Sequence, residues 1–224
     1  RRDYRDDFDS LEVYNGADAA KRSRVEAVLA DWLHLLELGH KYVATGDSDS
    51  HRIQYQWAGY PRTYISMPLD KSGDEGPIDR TALIAALKAG RAFVTSGPMI
   101  DATIDGVGPG GTATLAGNVA HLHVRVRAAP WIDVSEVEVL LGASTLTRVP
   151  VAPSARAPAE RARDLVDARK AAIRLERDFE VPFEGHEAKF VVVVVRGNRA
   201  LDDTLPYMPI QPMAFTNPIW LARP

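Results

Sequence analysis

The hydrophobic period of this chain changes near Met99, and that change constrains the fold more than any single motif. Before it, apolar residues at three-to-four spacing are interleaved with short apolar runs. After it, strict alternation takes over between Gly and Pro turns. Helical spacing buries one stripe of a helix and alternation buries one face of a strand, so the two regions need different architectures. The expectation is α/β over residues 1–98 followed by all-β over residues 99–224.

In the first region Ser10-Leu11-Glu12-Val13-Tyr14 alternates in strand formers and stops at the turn pair Asn15-Gly16. Val25, Val28, Leu29, Trp32, Leu33, Leu35 and Leu36 then mark one helix face, and Gly39 is placed for a left-handed residue beyond the helix end. Lys41 to Thr45 reads as the next strand. Strand, helix and strand with short joins predict a parallel crossover unit. Thr63 to Met67 reads as a short strand after a long loop. Asp79 is a good N-cap for a helix over Arg80 to Ala89, whose Leu83, Ile84 and Leu87 form a narrow apolar stripe. Gly90 ends that helix, and Ala92 to Thr95 follows as a strand closed by Ser96-Gly97-Pro98.

In the second region Val119 to Arg127 sets Leu122, Val124 and Val126 against His121, His123, Arg125 and Arg127 on the opposite face. Val134 to Leu141, Ile173 to Phe179 and Phe190 to Val195 also read as strands, and Ala214 to Trp220 reads as a closing strand made irregular by Pro218. Such a series predicts an immunoglobulin-like antiparallel β-sandwich. Pro153 to Lys170 interrupts it with charge and alanine and fits either an exposed helix or a long ordered loop.

With 46% apolar and 25% charged residues in 224, the chain has an ordinary globular composition. A net charge of −3 leaves no electrostatic footprint for nucleic acid or an acidic membrane. No apolar run approaches the roughly 20 residues that cross a bilayer. The absence of cysteine excludes disulfides and thiolate metal sites without identifying the compartment. The chain begins Arg1-Arg2 with a strand almost at once, which reads as the C-terminal part of something longer.

The run Thr45-Gly46-Asp47-Ser48-Asp49-Ser50-His51 concentrates the chemistry. On extended backbone, Asp49 and His51 project to the same side. At the C-terminal end of a parallel strand they would enter the crevice where α/β proteins hold ligands. Carboxylate oxygen and imidazole nitrogen suit a divalent first-row metal, although two ligands do not close such a site. The bland alternative is a capping loop Asp beside a surface His.

Other candidates read more plainly as structure. His121 and His123 belong to a solvated strand face, and His34 to a packed or exposed helix position. Gly106 to Gly111 lacks the Lys-Ser/Thr ending of a phosphate loop and reads as a hairpin-type turn. The mixed charges from Arg156 to Arg177 read as a solvated face. Glu12 and Asn15 end a strand and are candidates to line the site mouth.

Phe8 to Gly16, the Trp-bearing helix, Ala44 to His51 and Gly59-Tyr60-Pro61-Arg62 together resemble the C-terminal part of PHP (polymerase and histidinol phosphatase) metallohydrolases. Ala89 to Pro98 and Phe215-Thr216-Asn217-Pro218-Ile219-Trp220 narrow the resemblance to the CehA/McbA branch, in which a β-sandwich follows the metal-binding barrel. The resemblance implies late βα units of a distorted (β/α)7 barrel. It places the family's late Asp-x-His ligands on Asp49 and His51, leaves Asp47 to support the loop, and gives Arg62 no assigned role. It further implies divalent ions (Zn, Mn or Fe) in the full-length protein, with the other ligands in a missing N-terminal half of the barrel.

Function follows as an expectation: hydrolysis of a small-molecule phosphate ester, ester or amide by metal-activated water, with this chain inactive alone and open to homo-oligomerisation. The rival is a non-catalytic binding or structural sandwich with a vestigial metal site.

Overall fold

The computed structural model describes residues 7–16, 21–54, 56–67, 78–152, 172–184, 189–202, 205–207 and 209–224. The first unit is strand β1 (Ser10–Asn15), helix α1 (Arg22–Glu37) and strand β2 (Val43–Asp47), with β1 and β2 parallel. Helix α1 buries Val25, Leu29, Trp32, Leu33 and Leu36, the stripe that its spacing predicts. Trp32 donates its indole N–H to the Tyr42 carbonyl at 2.8 Å, which fixes where β2 begins. Gly39, at φ +93°, turns the chain out of the helix.

Strand β3 (Arg62–Ile65), helix α2 (Arg80–Lys88) and strand β4 (Ala92–Thr95) come next. Asp79 caps α2 by accepting from the N–H groups of Thr81 and Ala82 at 2.8 and 3.2 Å. Among α2's residues only Ala86 is buried, and Ile84 remains 55% exposed. This helix covers no crossover.

The remaining strands are β5 (Met99–Ile104), β6 (Thr112–Thr114), β7 (Val119–Arg127), β8 (Glu136–Leu141), β9 (Ser144–Pro150), β10 (Ile173–Pro182), β11 (Lys189–Arg196), β12 (Met213–Thr216) and β13 (Ile219–Ala222). A three-stranded sheet runs β10-β7-β5, antiparallel throughout. An eight-stranded sheet runs β3-β4-β12-β11-β13-β6, with β8 and then β9 on the other side of β11. Inward residues of both sheets, such as Ile100, Ile104, Leu122 and Val124 with Val137, Val139 and Val193, share one hydrophobic core. β7 alternates as its sequence requires, while Phe190 to Val195 of β11 are all buried, as befits a central strand packed on both faces.

The expectation of late βα units from a (β/α)7 barrel is overturned. Among the described residues the chain is mostly β-strand in antiparallel sheets with two helices, an arrangement compatible with a β-sandwich. β3 and β4 pair antiparallel with each other, and β4 pairs antiparallel with β12 from the far end of the chain. That partner lies more than a hundred residues away, where no local pattern announces it. Among the described residues the free side of β2 takes no further strand either. There the Asn217 side chain bonds both backbone groups of Ala44, and the Thr63 hydroxyl bonds both backbone groups of Gly46. Two side chains thus satisfy the groups that a third parallel strand would use.

Asp105 and Gly106, both at positive φ, form a tight turn closed by hydrogen bonds between Ile104 and Val107, so the glycine-rich stretch is a turn with no helix behind it. The segment Pro153 to Lys170 lies outside the described residues.

Candidate functional site at the end of the parallel pair

β1 and β2 run in register to their ends, with Glu12 opposite Thr45 and Asn15 opposite Asp47, through an irregularity between Glu12 and Tyr14. Their turns then pack together. Gly16 donates to the Asp47 carbonyl at 2.9 Å, and a Cβ on Gly16 would lie 2.1 Å from the Ser48 carbonyl oxygen. Only glycine allows that approach. Gly46 is confined chiefly by a side chain, since a Cβ there would stand 2.4 Å from a Val94 methyl.

β2 stops at Asp47, so Asp49 and His51 do not meet by strand alternation. The Asp47 carboxylate accepts from the Asp49 N–H at 2.9 Å, an Asx-type turn. Asp49 takes φ +45°, in the left-handed region, and folds the chain back. Gln56 Oε1 accepts from the N–H groups of both His51 and Arg52 at 2.7 Å and so holds the far side of the loop. The result brings His51 Nε2 to 3.6 Å from Asp49 Oδ1. His51 Nδ1 lies 2.6 Å from the Asp49 carbonyl oxygen. A proton on Nδ1 donated to that carbonyl leaves the Nε2 lone pair free, the tautomer a metal-binding imidazole needs. The pair faces solvent, with the His51 side chain 72% and the Asp49 side chain 37% exposed.

Glu12 belongs to the same cluster. Burial pushes its carboxyl up to about 7, and a hydrogen bond to Asp47 together with the Asp47 and Asp49 charges pushes the same way, while the Asn15 amide opposes them. Asn15 Nδ2 donates to Glu12 Oε1 at 3.0 Å. Glu12, beside the Asp47 carboxylate, therefore takes up or releases its own proton near neutral pH.

Two donors bound at about 2.0–2.1 Å to one tetrahedral ion stand roughly 3.3 Å apart. The Asp49–His51 spacing and tautomer fit two positions of such a centre. Among the described residues no group of three or more His, Asp or Glu is arranged to hold an ion.

The other candidates fall elsewhere. His123 Nδ1 pairs with Asp178 at 2.7 Å and its Nε2 lies 3.8 Å from Glu176, on the outer face of β7, where Arg125 also pairs with Glu176. His34 is exposed on α1. Arg62 donates to the Gly59 carbonyl at 2.8 Å and lies over the rings of Tyr60 and Tyr64, at 5.3 and 5.0 Å from their centroids. Gln56, which organises the loop, carries no sequence signal that would have singled it out. No helix among the described residues is long and apolar enough to cross a membrane.

No family model matches this chain, and no curated protein matches it. The resemblance to PHP-type metallohydrolases rests on the motif residues themselves.

Proposed function

We propose that the chain contributes Asp49 and His51 to the divalent-metal centre of a PHP-type hydrolase, with the remaining ligands supplied from outside residues 1–224. The observation that carries this reading is the juxtaposition of His51 Nε2 and Asp49 Oδ1 at 3.6 Å, with Nδ1 held by a backbone carbonyl. When bound, such an ion (Zn, Mn or Fe) lowers the pKa of its water and stabilises charge on a phosphoryl or acyl oxygen. Asp47 orders the loop, and Glu12 beside it is able to take up or release a proton near neutral pH. The substrate class is a small phosphate ester, ester or amide, and self-association of the chain belongs to the same proposal.

The test is metal analysis with a phosphoesterase and esterase panel on the polypeptide that carries this chain, beside Asp49→Ala and His51→Ala. Each variant is expected to lose more metal affinity than the roughly 10–100-fold that outer-shell partners cost, and hydrolysis with it. Unchanged metal content and turnover in both variants would remove the proposal. A second reading, a non-catalytic sandwich module, is favoured by the lack of a three-ligand group among the described residues. Absence of both bound metal and turnover across the whole panel in the wild-type protein would select it.

A further inference from the structure

We infer that the cleft at the open mouth between the two sheets, lined by Arg91, Tyr64, Phe93 and β5, binds a small planar aromatic anion. The cleft has a volume of about 670 Å³, within the range of small-molecule sites. It shares no lining residue with the Asp49–His51 loop.

One wall is aromatic. Tyr64 and Phe93 sit opposite each other on β3 and β4, with ring centroids 5.2 Å apart and planes 13° from parallel. Arg62 lies over the Tyr64 ring and helps to hold it in place. The buried Ile100 and Ala102 of β5 supply an apolar floor. A flat hydrocarbon body gains from such a surface both by leaving water and by ring–ring contact.

The charge at the mouth is positive and fixed at its root. The Arg91 backbone is clamped on both sides, its N–H donating to the Ala86 carbonyl at 3.0 Å and its carbonyl accepting from Ser66 at 2.7 Å. Among the described residues the Arg91 guanidinium has no ion-pair partner. The acid lining the cleft, Asp101, is instead neutralised by Arg127 at 3.0 Å. An exposed, rooted guanidinium beside an aromatic wall recognises a carboxylate, sulfonate or phosphate in two-pronged fashion while stacking on its ring. Neither a cation nor a purely aliphatic ligand would use both features.

The probe is 8-anilinonaphthalene-1-sulfonate, followed by its fluorescence on the full chain, beside the uncharged N-phenyl-1-naphthylamine. Saturable binding at one site is expected. Arg91→Gln is expected to weaken the sulfonate roughly tenfold or more and to leave the neutral probe within about twofold, the loss of one charge-assisted hydrogen-bonding group. Arg91→Lys should fall between the wild type and Arg91→Gln. Thr103→Trp, which narrows the cleft from its half-buried rim, should weaken both probes, with thermal melts recorded for each variant to separate lost binding from lost folding. Sulfonate binding unchanged by Arg91→Gln, an equal loss of both probes in that variant, or binding that never saturates would overturn the inference.

Discussion

Asn217 bonds Ala44 the way a neighbouring strand would. Its Oδ1 accepts from the Ala44 N–H at 2.8 Å and its Nδ2 donates to the Ala44 carbonyl at 3.1 Å, with a further bond to the Ala92 carbonyl. The side-chain amide carries the same donor and acceptor as a peptide group, so Asn217 closes the inner edge of β2 at Ala44, as the Thr63 hydroxyl does at Gly46. It sits fully buried at the Pro218 irregularity between β12 and β13, which turns it out of the ladder and towards β2.

Asn217→Ala is therefore expected to cost roughly 2–4 kcal/mol, since it orphans two buried backbone groups of Ala44 as well as removing the bonds themselves. Asn217→Asp keeps the acceptor and loses the donor, so it should also destabilise. Urea unfolding of the two variants checks this, and wild-type stability in Asn217→Ala would contradict the account.

Glu12 gives the fold a pH dependence of known sign. Its carboxyl holds a proton more tightly when folded, with its value raised from 4.5 to about 7. Between those limits the folded state binds more protons than the unfolded one, so this residue's contribution to stability falls as pH rises from about 4.5 through 7. Glu12→Gln should flatten that part of the stability profile and raise stability most at the alkaline end. Unfolding curves at pH 5 and pH 8 for both proteins decide the matter. The same slope in wild type and variant would remove Glu12 as its source.

The opposite sign holds at Glu138. Burial pushes its carboxyl up, but hydrogen bonds from Thr145, Arg196 and Arg148 outweigh burial and hold it below the usual 4.5. Arg196 is the hub: it reaches Glu138 and Glu136 through Nη1 and clasps Glu26 on α1 through Nε and Nη2, at 2.8 and 3.2 Å. The network ties the helix to β8 and β11. Arg196→Leu takes one of two cations from a carboxylate that is only 3% exposed, with Arg148 remaining at 2.9 Å, so the cost should fall below the roughly 3–5 kcal/mol of a fully unpaired buried charge. In the wild type this contribution is present above pH 4.5 and is lost as pH falls through the lower folded value. The variant should consequently differ least from wild type in acid, which a denaturation series across pH tests.

What could be read from the residues divides by range of contact. The stripe of α1, the Asp79 cap, the alternation of β7 and the buried run of β11 are local patterns, and each fixes its own element. The parallel pairing of β1 and β2 also follows from short joins around one helix. The partners of β3 and β4 do not, because a strand of four residues shows its burial and not its neighbour; Phe93 and Val94 read equally well in a barrel or a sandwich. Ser144 to Pro150 escaped notice because its side chains are mostly polar on an edge strand. At the site, the residue types Asp49 and His51 were legible, but the way they meet was not. A left-handed Asp49 and a glutamine five residues beyond His51 set that geometry, and neither follows from periodicity.

Gly46 links the loop to the sheet beneath it, and its packing makes a test that can be reversed. An added Cβ would stand 2.4 Å from Val94 Cγ1 and 3.0 Å from the Tyr14 carbonyl oxygen. The first neighbour is a side chain that can be trimmed, whereas the second is backbone. Gly46→Ala should therefore destabilise by about 1–3 kcal/mol, as overpacking of a filled core does. Adding Val94→Ala removes the nearer obstacle at the cost of a small cavity, so the double variant should be less destabilised than the two single effects summed. A double-mutant cycle by urea unfolding measures that coupling. Strict additivity would mean that β2 does not rest on Val94, and that the Asp47 to His51 loop takes its position from elsewhere.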